Sequence, residues 1–380
     1  MKNKTILSMV LAATMLIATL SGCGSNNQDV LDPQLMDPQG TNDAGVVNQT
    51  TEMPGFESDA VIGVTLPWLG TQNWVEAKEM FADQLGKAGY KPFIEAADQT
   101  VTLQQQQIES MIEAGAKVIV IGPVDSAQLT DVLDKAKAAG IYIIGYDRLL
   151  ENTAGVDGVV QYGSVETGKL QASALVQGLQ EKNGEPPYNI ELFGGGHADP
   201  NSPNFFNGAM SVLQPLIDDG TLVVTSEETD FIQCATADWN NAKAQARMEK
   251  LLSTYYTDKE IDGVLCPNDG IARACITACE SAGQDIPIVS GLDAENDSVQ
   301  WIWEGRQYST IAKPTDKLVE ETIDVINSLR DGKGLPETDV TVDNGVKDVP
   351  VFELTPLIVT KENEKEVFAN DPTRLELLKD

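Results

Sequence analysis

Two stretches, VIVIGPVD (118–125) and IYIIGYDR (141–148), indicate how this chain folds. Each is a run of Val, Ile and similar residues that ends in a turn and an acidic side chain. Continuous apolar runs of this length are typical of strands buried on both faces, and a helical segment lies between the two. The arrangement returns at GVLCPND (263–269) and IPIVSGLD (286–293). The repeat predicts an α/β protein with two similar halves, each built on a parallel sheet.

Short apolar runs alternate with helical periodicity along the rest of the chain. The predicted strands are 61–66, 91–95, 117–121, 141–145, 158–162, 189–193, 222–225, 263–266, 286–290 and 309–312. The predicted helices are 74–88, 103–114, 126–139, 205–217, 242–256, 270–282 and 316–329. Gly89, Gly115 and Gly140 follow three of these helices, at the position where glycine commonly ends a helix. Neither half contains a Walker phosphate loop or a dinucleotide-binding glycine motif.

The first 23 residues have the layout of a secretory signal. Lys2 and Lys4 precede an apolar run over 6–20, which is too short and wrongly flanked for a membrane span. The run ends in Leu20-Ser21-Gly22-Cys23, which resembles the bacterial lipobox, in which the cysteine is lipidated and becomes the first residue. We therefore expect residues 1–22 to be removed and Cys23 to anchor the protein outside the cytoplasm. A plain signal peptide with an accidental cysteine is the alternative.

Composition argues against nucleic acid as a partner. Lys and Arg number 26 against 58 Asp and Glu, and loss of residues 1–22 removes two lysines and no acids, which changes the charge from −32 to −34. A surface this acidic repels phosphate backbones. Residues 24–58 carry six acids and no Lys or Arg, which predicts a flexible tether over 23–58. The roughly 320 residues from Asp59 onward are enough for two domains.

Four further cysteines leave three interpretations open. They are Cys234, Cys266, Cys275 and Cys279. Disulfides can form outside the cell, but four cysteines allow three connectivities, among which the sequence does not choose. Cys275 and Cys279 have a spacing that could ligate a metal on a helix, but no histidine lies nearby. Buried free thiols are the favoured interpretation, and no metal or cofactor is predicted.

Polar side chains follow the predicted strands. Asp125 and Asp147-Arg148 come directly after the two runs of the first half, and Asn268-Asp269 and Asp293 after those of the second. Open parallel sheets bind ligands at the carboxyl ends of their strands. Two lobes that each carry such groups would present them to one cleft.

The residue types at these positions suit a sugar. Carboxylates accept hydrogen bonds from vicinal hydroxyls, and cationic side chains donate to them. The polar candidates are Asp147, Arg148, Asp293 and Lys313. Flat aromatic rings pack against the apolar C–H face of a pyranose. The aromatic candidates are Trp68, Trp74 and Trp239. Each has an ordinary structural explanation when taken singly, and it is their joint placement that indicates a sugar.

Longer motifs give a specific resemblance. From residue 60 to residue 367, the chain resembles the type I periplasmic sugar-binding proteins of ABC transporters, above all their multiple-sugar-binding and xylose-binding members. The motifs that carry the resemblance are YDRL (146–149), NIELFGG (189–195), GAMSVL (208–213), AQARMEKLLSTYYTD (244–258), SGLDAE (290–295), QYSTIAK (307–313) and NGV (344–346).

The resemblance implies two Rossmann-like lobes with parallel sheets, joined by three hinge strands, with an aldose pyranose held between them. The implied boundaries are 59–163 with 314–345 for the N-terminal lobe and 164–313 with 346–380 for the C-terminal lobe. The implied sugar-binding residues are Trp74, Asp147, Arg148, Asn201, Trp239, Asp269, Asp293 and Lys313, with Asn268 as a neighbour and Trp68 and Asn73 as additional candidates.

The chain departs from the family pattern in three places. Asn73 stands where the family often has Arg, which argues against tight binding of sugar acids. Tyr162-Gly163-Ser164 replaces the common Phe-Asp-Asn at the first hinge, so any contact from that acid is missing. Pro200 and Pro203 flank Asn201, which leaves the register of this loop open.

These features predict a non-catalytic receptor that captures a monosaccharide by lobe closure and delivers it to an ABC permease in the membrane. It is expected to be a monomer, and a chemoreceptor is left open as a second partner. A glycosidase-like enzyme that uses Asp147 and Asp293 as its acid pair is the alternative. This alternative is disfavoured because Arg148 and Lys313 would hold both carboxylates ionised. The same fold with a nucleoside or another non-sugar solute is a further alternative.

Three other features have ordinary structural interpretations. His197, the only histidine, lies in the glycine-rich segment 194–199 and is expected to be solvated. The three glycines of that segment could cradle a phosphate, but no basic residue accompanies them. Trp301 and Trp303 are expected to pack against the hinge rather than form a platform for a sugar.

Overall fold

The structure, a computed structural model, describes residues 55–379. The predicted signal, Cys23 and the tether up to residue 54 lie outside this range. The strands are β1 (Val61–Leu66), β2 (Lys91–Ala96), β3 (Val118–Ile121), β4 (Tyr142–Tyr146), β5 (Gly158–Tyr162), β6 (Tyr188–Leu192), β7 (Leu222–Val224), β8 (Gly263–Leu265), β9 (Ile288–Val289), β10 (Ser309–Ala312), β11 (Thr341–Asp343), β12 (Asp348–Leu354) and β13 (Leu357–Thr360). The helices are α1 (Gln72–Lys87), α2 (Val101–Glu113), α3 (Thr130–Ala138), α4 (Ser164–Lys182), α5 (Asn201–Asp218), α6 (Phe231–Cys234), α7 (Asn241–Tyr255), α8 (Asp269–Ala282), α9 (Asn296–Glu304), α10 (Thr315–Arg330), α11 (Glu364–Val367) and α12 (Pro372–Leu377).

The first lobe is built on a seven-stranded sheet with the order β11-β12-β5-β4-β3-β1-β2. All of its strand pairs are parallel except the hairpin of β11 and β12. Helices α1 and α10 cover one face, and α2 and α3 cover the other, so the Val and Ile residues of the central strands are buried on both sides. The direction in which strands are added reverses between β1 and β3, which places a topological switch point there.

The second lobe is built on a parallel four-stranded sheet with the order β7-β6-β8-β9. Helices α4 and α5 pack on one face, and α7 and α8 pack on the other. Its switch point lies between β6 and β8. The two sheets therefore repeat one architecture, which confirms the predicted fold class.

Three segments connect the lobes. The chain passes from β5 to α4 at Tyr162–Ser164 and from β10 to α10 at residues 312–315. It crosses a third time between β12 and β13, because β12 pairs with β5 of the first sheet while β13 pairs with β10. The expected lobe boundary between residues 345 and 346 is thus misplaced, and residues 346–354 belong to the first lobe. Local sequence does not specify which sheet an extended segment joins.

Helix α4 was absent from the predicted elements, although it is the longest helix in residues 55–379. Its interior contains Gly168 and Gly178, which weaken a helical pattern. Gly168 is required by packing, since a Cβ at this position would lie 1.9 Å from the carbonyl oxygen of Phe205 on α5. On α5, a Cβ at Gly208 would lie 2.2 Å from the carbonyl oxygen of Val165. The two helices therefore pack backbone against backbone.

Several smaller expectations are decided by the structure. Gly89, Gly115 and Gly140 have φ angles of 94°, 73° and 75°, as glycines that end helices do. The last residues of the expected tether are fixed, since Phe56 packs on the first core and its N–H donates to the Arg330 carbonyl over 3.1 Å. The cysteines of the second lobe are buried free thiols, which is the interpretation that the sequence favoured. Within residues 55–379, none of the helices has the length and apolarity needed to cross a bilayer.

Candidate binding site

A cleft with a volume of about 380 Å³, part of it open to solvent, lies between the carboxyl ends of the two sheets. Side chains from both lobes line it. The predicted residues among them are Trp68, Asn73, Trp74, Asp147, Arg148, Asn201, Trp239, Asn268, Asp293 and Lys313. Four lining residues were not predicted, namely Thr71, Asp199, Phe205 and Leu292. The strand-end positions picked out in the sequence therefore do converge, except for Asp125 and Asp269.

An ammonium group between two carboxylates forms the polar centre of the cleft. Lys313 follows β10 at the hinge, and its Nζ lies 3.1 Å from Asp147 Oδ1 and 3.4 Å from Asp293 Oδ1. The three side chains are about nine-tenths buried. Burial on its own lowers the pKa of Lys313, but the two carboxylates outweigh it, so this pKa is raised and the ammonium stays charged.

Burial also governs Asp293. It raises the pKa of Asp293 to about 6, even though Lys313 opposes the shift. Desolvation of the carboxylate therefore outweighs the attraction of one ammonium. Asp293 is still mostly ionised at pH 7.

The residues that present these carboxylates have left-handed backbones. The φ angle is 62° at Asp147 and 91° at Asp293, values that cost free energy for residues other than glycine. Backbone bonds hold both turns, since Asp147 N donates to Val160 O over 2.8 Å and Asp293 N donates to Ile311 O over 2.9 Å. Non-glycine residues in this conformation are frequent at ligand sites, where the rest of the fold compensates for the strain.

Arg148 joins the lobes from the first-lobe side. Its Nη2 lies 2.9 Å from Asp199 Oδ2 in the second lobe, and its Nη1 donates to the Pro123 carbonyl over 3.0 Å. The guanidinium carbon lies 5.3 Å from the Trp74 ring centroid, within range of a cation–π contact. Burial raises the pKa of Asp199, although Arg148 opposes this shift.

Two buried donors in the cleft wall have no hydrogen-bond acceptor within residues 55–379. They are Arg148 Nε and Trp239 Nε1. Because buried polar groups are nearly always hydrogen-bonded, two such donors in one cavity indicate a ligand that accepts hydrogen bonds. Trp239 occupies this place because a Cβ at Gly195 would lie 2.2 Å from its ring. The glycine-rich segment 194–199 thus accommodates an indole.

Asn201 links the lobes as well as lining the cleft. Its Nδ2 donates to the Asp147 carbonyl over 2.7 Å, and its Oδ1 accepts from Ser164 Oγ over 2.8 Å. The flanking prolines leave this register intact, because Asn201 begins α5 and proline is tolerated in the first turn of a helix.

Asp269, expected among the sugar-binding residues, does not line the cleft. One carboxylate oxygen accepts from Gln307 Nε2 over 3.0 Å and the other from the Glu295 N–H over 2.9 Å. The neighbouring Asn268 takes the place in the cleft wall, and its Oδ1 also caps α8 by accepting from the Ile271 N–H. Burial raises the pKa of Asp269 to about 7.

Two further side chains, Gln171 and Asn344, hold loops of the cleft in place through hydrogen bonds. Gln171 of α4, which the prediction missed, donates from Nε2 to the carbonyls of Cys266, Pro267 and Gly291, which belong to the loops that carry Asn268 and Asp293. In the NGV motif, Asn344 Nδ2 donates to the Leu150 and Thr153 carbonyls, over 3.0 and 2.8 Å, and so fixes the segment after Arg148.

The remaining candidates lie outside the cleft. His197 is exposed. Trp301 stacks under Arg306 at 3.6 Å, and Trp303 packs on the core formed with β10 and β13, near the hinge. Within the described range, no three His, Cys, Asp or Glu side chains are grouped so that they could hold a metal ion.

Comparison with known proteins agrees with this geometry. Residues 62–334 match the model of the periplasmic binding protein domain. The chain belongs to the periplasmic binding protein family. It is 42% identical to the multiple sugar-binding periplasmic receptor ChvE of Rhizobium radiobacter, over 83% of this chain and 91% of that protein. It is 31% identical to the D-xylose-binding periplasmic protein of Escherichia coli, over 84% and 93%.

A solved structure is also similar. The solute-binding protein of an ABC transporter from Clostridium phytofermentans, with bound β-D-glucose, aligns with a TM-score of 0.80 and 32% identity, over 84% of this chain and all of that one. The resemblance to multiple-sugar-binding and xylose-binding proteins is confirmed. These relatives are extracytoplasmic receptors and not enzymes, so the glycosidase alternative is set aside.

Proposed function

We propose that the protein is the solute-binding component of an ABC sugar transporter and that it binds one aldose in the cleft. Glucose, galactose, xylose and arabinose are the expected type of ligand. The observation that carries the proposal is the convergence of carboxylates and unpaired donors from two lobes on one cavity of about 380 Å³. The sugars named for the relatives, glucose and xylose among them, support the same ligand class.

The chemistry of each group suits a pyranose. Asp147 and Asp293 accept hydrogen bonds from hydroxyls, while Arg148 Nε and Trp239 Nε1 donate to hydroxyl or ring oxygens. Trp74 and Phe205 offer apolar faces to the C–H groups of the ring. The positive charge of Lys313 compensates the negative charge of the two carboxylates, so both can be buried without being protonated.

Lobe closure follows from where these groups are attached. Asp147, Arg148 and Trp74 belong to the first lobe, whereas Asn268, Asp293 and Trp239 belong to the second. A ligand that bonds to both sets is bound more tightly by the closed form than by the open form, and so it shifts the equilibrium toward closure. The closed form is then the one that a membrane permease would recognise.

Attachment to the membrane is proposed to be through acyl chains on Cys23. The supporting feature is the Leu20-Ser21-Gly22-Cys23 sequence after a short signal-like apolar run. Expression of the full chain in a bacterium with a labelled fatty acid tests it. Label should appear in the wild type and be absent from Cys23→Ser, whereas label retained by that variant would contradict a lipid anchor at this residue.

A thermal-shift screen against neutral aldoses and galacturonate, followed by calorimetry of the best ligand, tests the function. The isosteric changes Asp147→Asn and Asp293→Asn remove one charged acceptor each. Each should weaken binding by about tenfold or more, since hydrogen bonds to charged groups contribute about 1.5–3 kcal/mol. Asp83→Asn, an exposed carboxylate of the first lobe, is the matched control and should bind normally. Absence of a melting shift with every aldose would refute the proposal.

A further inference from the structure

A second cavity of about 630 Å³ adjoins the cleft. Four side chains line both spaces, namely Trp68, Arg148, Asp199 and Trp239. The second cavity is larger than the cleft, and both are partly open to solvent. These four side chains therefore form the boundary between the cleft and the second cavity.

The walls of this cavity suit a flat, uncharged group. Pro67, Val101 and Val124 line it from the first lobe, and Ala198 lines it from the second. Trp68 and Trp239 add indole surface from opposite lobes. Apolar walls with aromatic surface are typical of sites that bind rings by burial and stacking.

Lobe contact does not eliminate the cavity. Gln99 Nε2, in its first-lobe wall, donates to the carbonyl of Asp238 in its second-lobe wall over 3.5 Å. Elsewhere between the lobes, Asn296 N donates to Gln72 Oε1 over 2.8 Å and Arg374 Nη2 lies 3.2 Å from Glu76 Oε1. Because these bonds already join the two lobes, the space persists when the lobes are together.

Charge decides which attached group fits. Three carboxylates line the cavity, those of Asp125, Asp199 and Asp238. The guanidinium of Arg148 also lines it, but this cation is already paired with Asp199. His197, which also lines the cavity, is exposed. Asp238 is paired with Lys243 at 2.7 Å, whereas Asp125 has no ion pair within residues 55–379. A negatively charged substituent would therefore meet the uncompensated carboxylate of Asp125, so phosphate and carboxylate groups are disfavoured.

We propose that this cavity binds a second, uncharged ring that is covalently joined to the aldose. The ligands then include neutral disaccharides or aryl glycosides as well as free monosaccharides. The inference depends on the proposed function, because the first ring must occupy the cleft.

Calorimetry on the full mature chain tests it. The probes are the free aldose that binds best, its α- and β-phenyl glycosides, their 4-carboxyphenyl analogues, and disaccharides joined through the 1-, 3-, 4- and 6-hydroxyls. At least one neutral conjugate should bind within about tenfold of the free aldose. Its carboxylated analogue should bind about tenfold or more weaker, because of the acidic lining.

Two variants fill the cavity without touching the cleft, namely Ala198→Trp and Val101→Phe. Each should weaken the conjugate by about tenfold or more and leave the free aldose within about threefold, since only the second ring is displaced. Ala369→Trp, at an exposed position elsewhere, is the matched control and should change neither affinity.

The outcomes separate the two proposals. Wild-type protein that binds a free aldose but binds every conjugate more than about tenfold weaker overturns the inference and leaves the proposed function intact. The inference is also overturned if Ala198→Trp and Val101→Phe weaken binding of the aldose and of the conjugate equally, or if they change neither affinity. Failure of the free aldose itself to bind refutes the proposed function, and the inference with it.

Discussion

At the scale of single residues, Lys313 lies between two buried carboxylates, with Nζ 3.1 Å from Asp147 and 3.4 Å from Asp293. Neither carboxylate has another cation as close among residues 55–379. Arg148 is engaged by Asp199 instead. The ammonium therefore serves both lobes, and it does so from the hinge.

Lys313→Met should destabilise the apo protein and prevent aldose binding. Removal of one partner from a buried ionic group costs about 3–5 kcal/mol, because it leaves an uncompensated charge. Urea denaturation measures the loss. Lys317→Met, which removes an exposed lysine nearby on α10, should cost less than about 1 kcal/mol. Equal stability of the two variants would contradict the role of Lys313.

Sugar affinity should fall as the pH falls through about 6. Burial raises the pKa of Asp293 to about 6, and the protonated carboxyl no longer offers a charged acceptor. Calorimetry between pH 8 and pH 5 should show weakening that begins near pH 6 and approaches tenfold per pH unit at the most. Asp293→Asn should lack this dependence. Affinity that stays constant down to pH 5 would rule out this role for Asp293.

The same pKa has the opposite effect on the stability of the apo protein. Asp293 binds its proton more tightly when folded than when unfolded, so its contribution to stability is present below about pH 4 and is lost as the pH rises to about 6. The loss is at most about 3 kcal/mol. The gain in unfolding free energy from Asp293→Asn should therefore be larger at pH 7 than at pH 4. A pH-independent difference in urea denaturation would contradict this.

The sequence predicted most of the cleft wall, and two of its errors at this scale, at Asp269 and Asp199, have identifiable causes. The positions of polar residues after the strands identified Asp147 and Asp293, and the family resemblance added Asn201. Asp269 and Asn268 are adjacent, and only the first turn of α8 decides which of them faces the cleft. Asp199 was missed because its partner, Arg148, lies in the other lobe.

At the scale of elements, α4 and α5 hold the second lobe's contribution to the cleft. Helix α5 begins with Asn201 and carries Phe205, and α4 positions the strand-end loops through Gln171. The close approach at Gly168 sets the distance between the two helices. Sequence periodicity could not predict α4, because the glycines in this helix weaken the helical pattern. Gly168 is required by the close contact with α5, which the sequence of α4 alone does not show.

Gly168→Ala should destabilise the protein by about 1–3 kcal/mol, the usual cost of overpacking, since the new methyl would lie 1.9 Å from the Phe205 carbonyl oxygen. Gly86→Ala in α1 is the matched control. Its Cβ would meet no atom within 4 Å, and alanine is the better helix former, so stability should rise by about 0.5–1 kcal/mol. Thermal denaturation compares them, and a neutral Gly168→Ala would show that the helices can separate without cost.

At the scale of the whole molecule, three crossings join two lobes that share one architecture. The chain crosses at Tyr162–Ser164, at residues 312–315 and between β12 and β13. The sequence analysis assigned residues 346–354 to the second lobe, whereas β12 pairs with β5, about 190 residues away in sequence, and no local pattern encodes such a partner.

Addition of the preferred aldose should make the protein more compact. The ligand contacts both lobes and favours the closed form, so small-angle scattering should give a smaller radius of gyration with sugar than without. Asp147→Asn should need a higher sugar concentration for the same change. If the radius stays constant while calorimetry reports binding, closure is not coupled to the ligand.

A crystal structure of the protein with its preferred aldose would show directly whether both lobes hold the sugar. We expect one pyranose in the cleft, with hydroxyls within hydrogen-bond distance of Asp147 and Arg148 from the first lobe and of Asn268 and Asp293 from the second. A sugar bound elsewhere, or held by the side chains of one lobe alone, would contradict it.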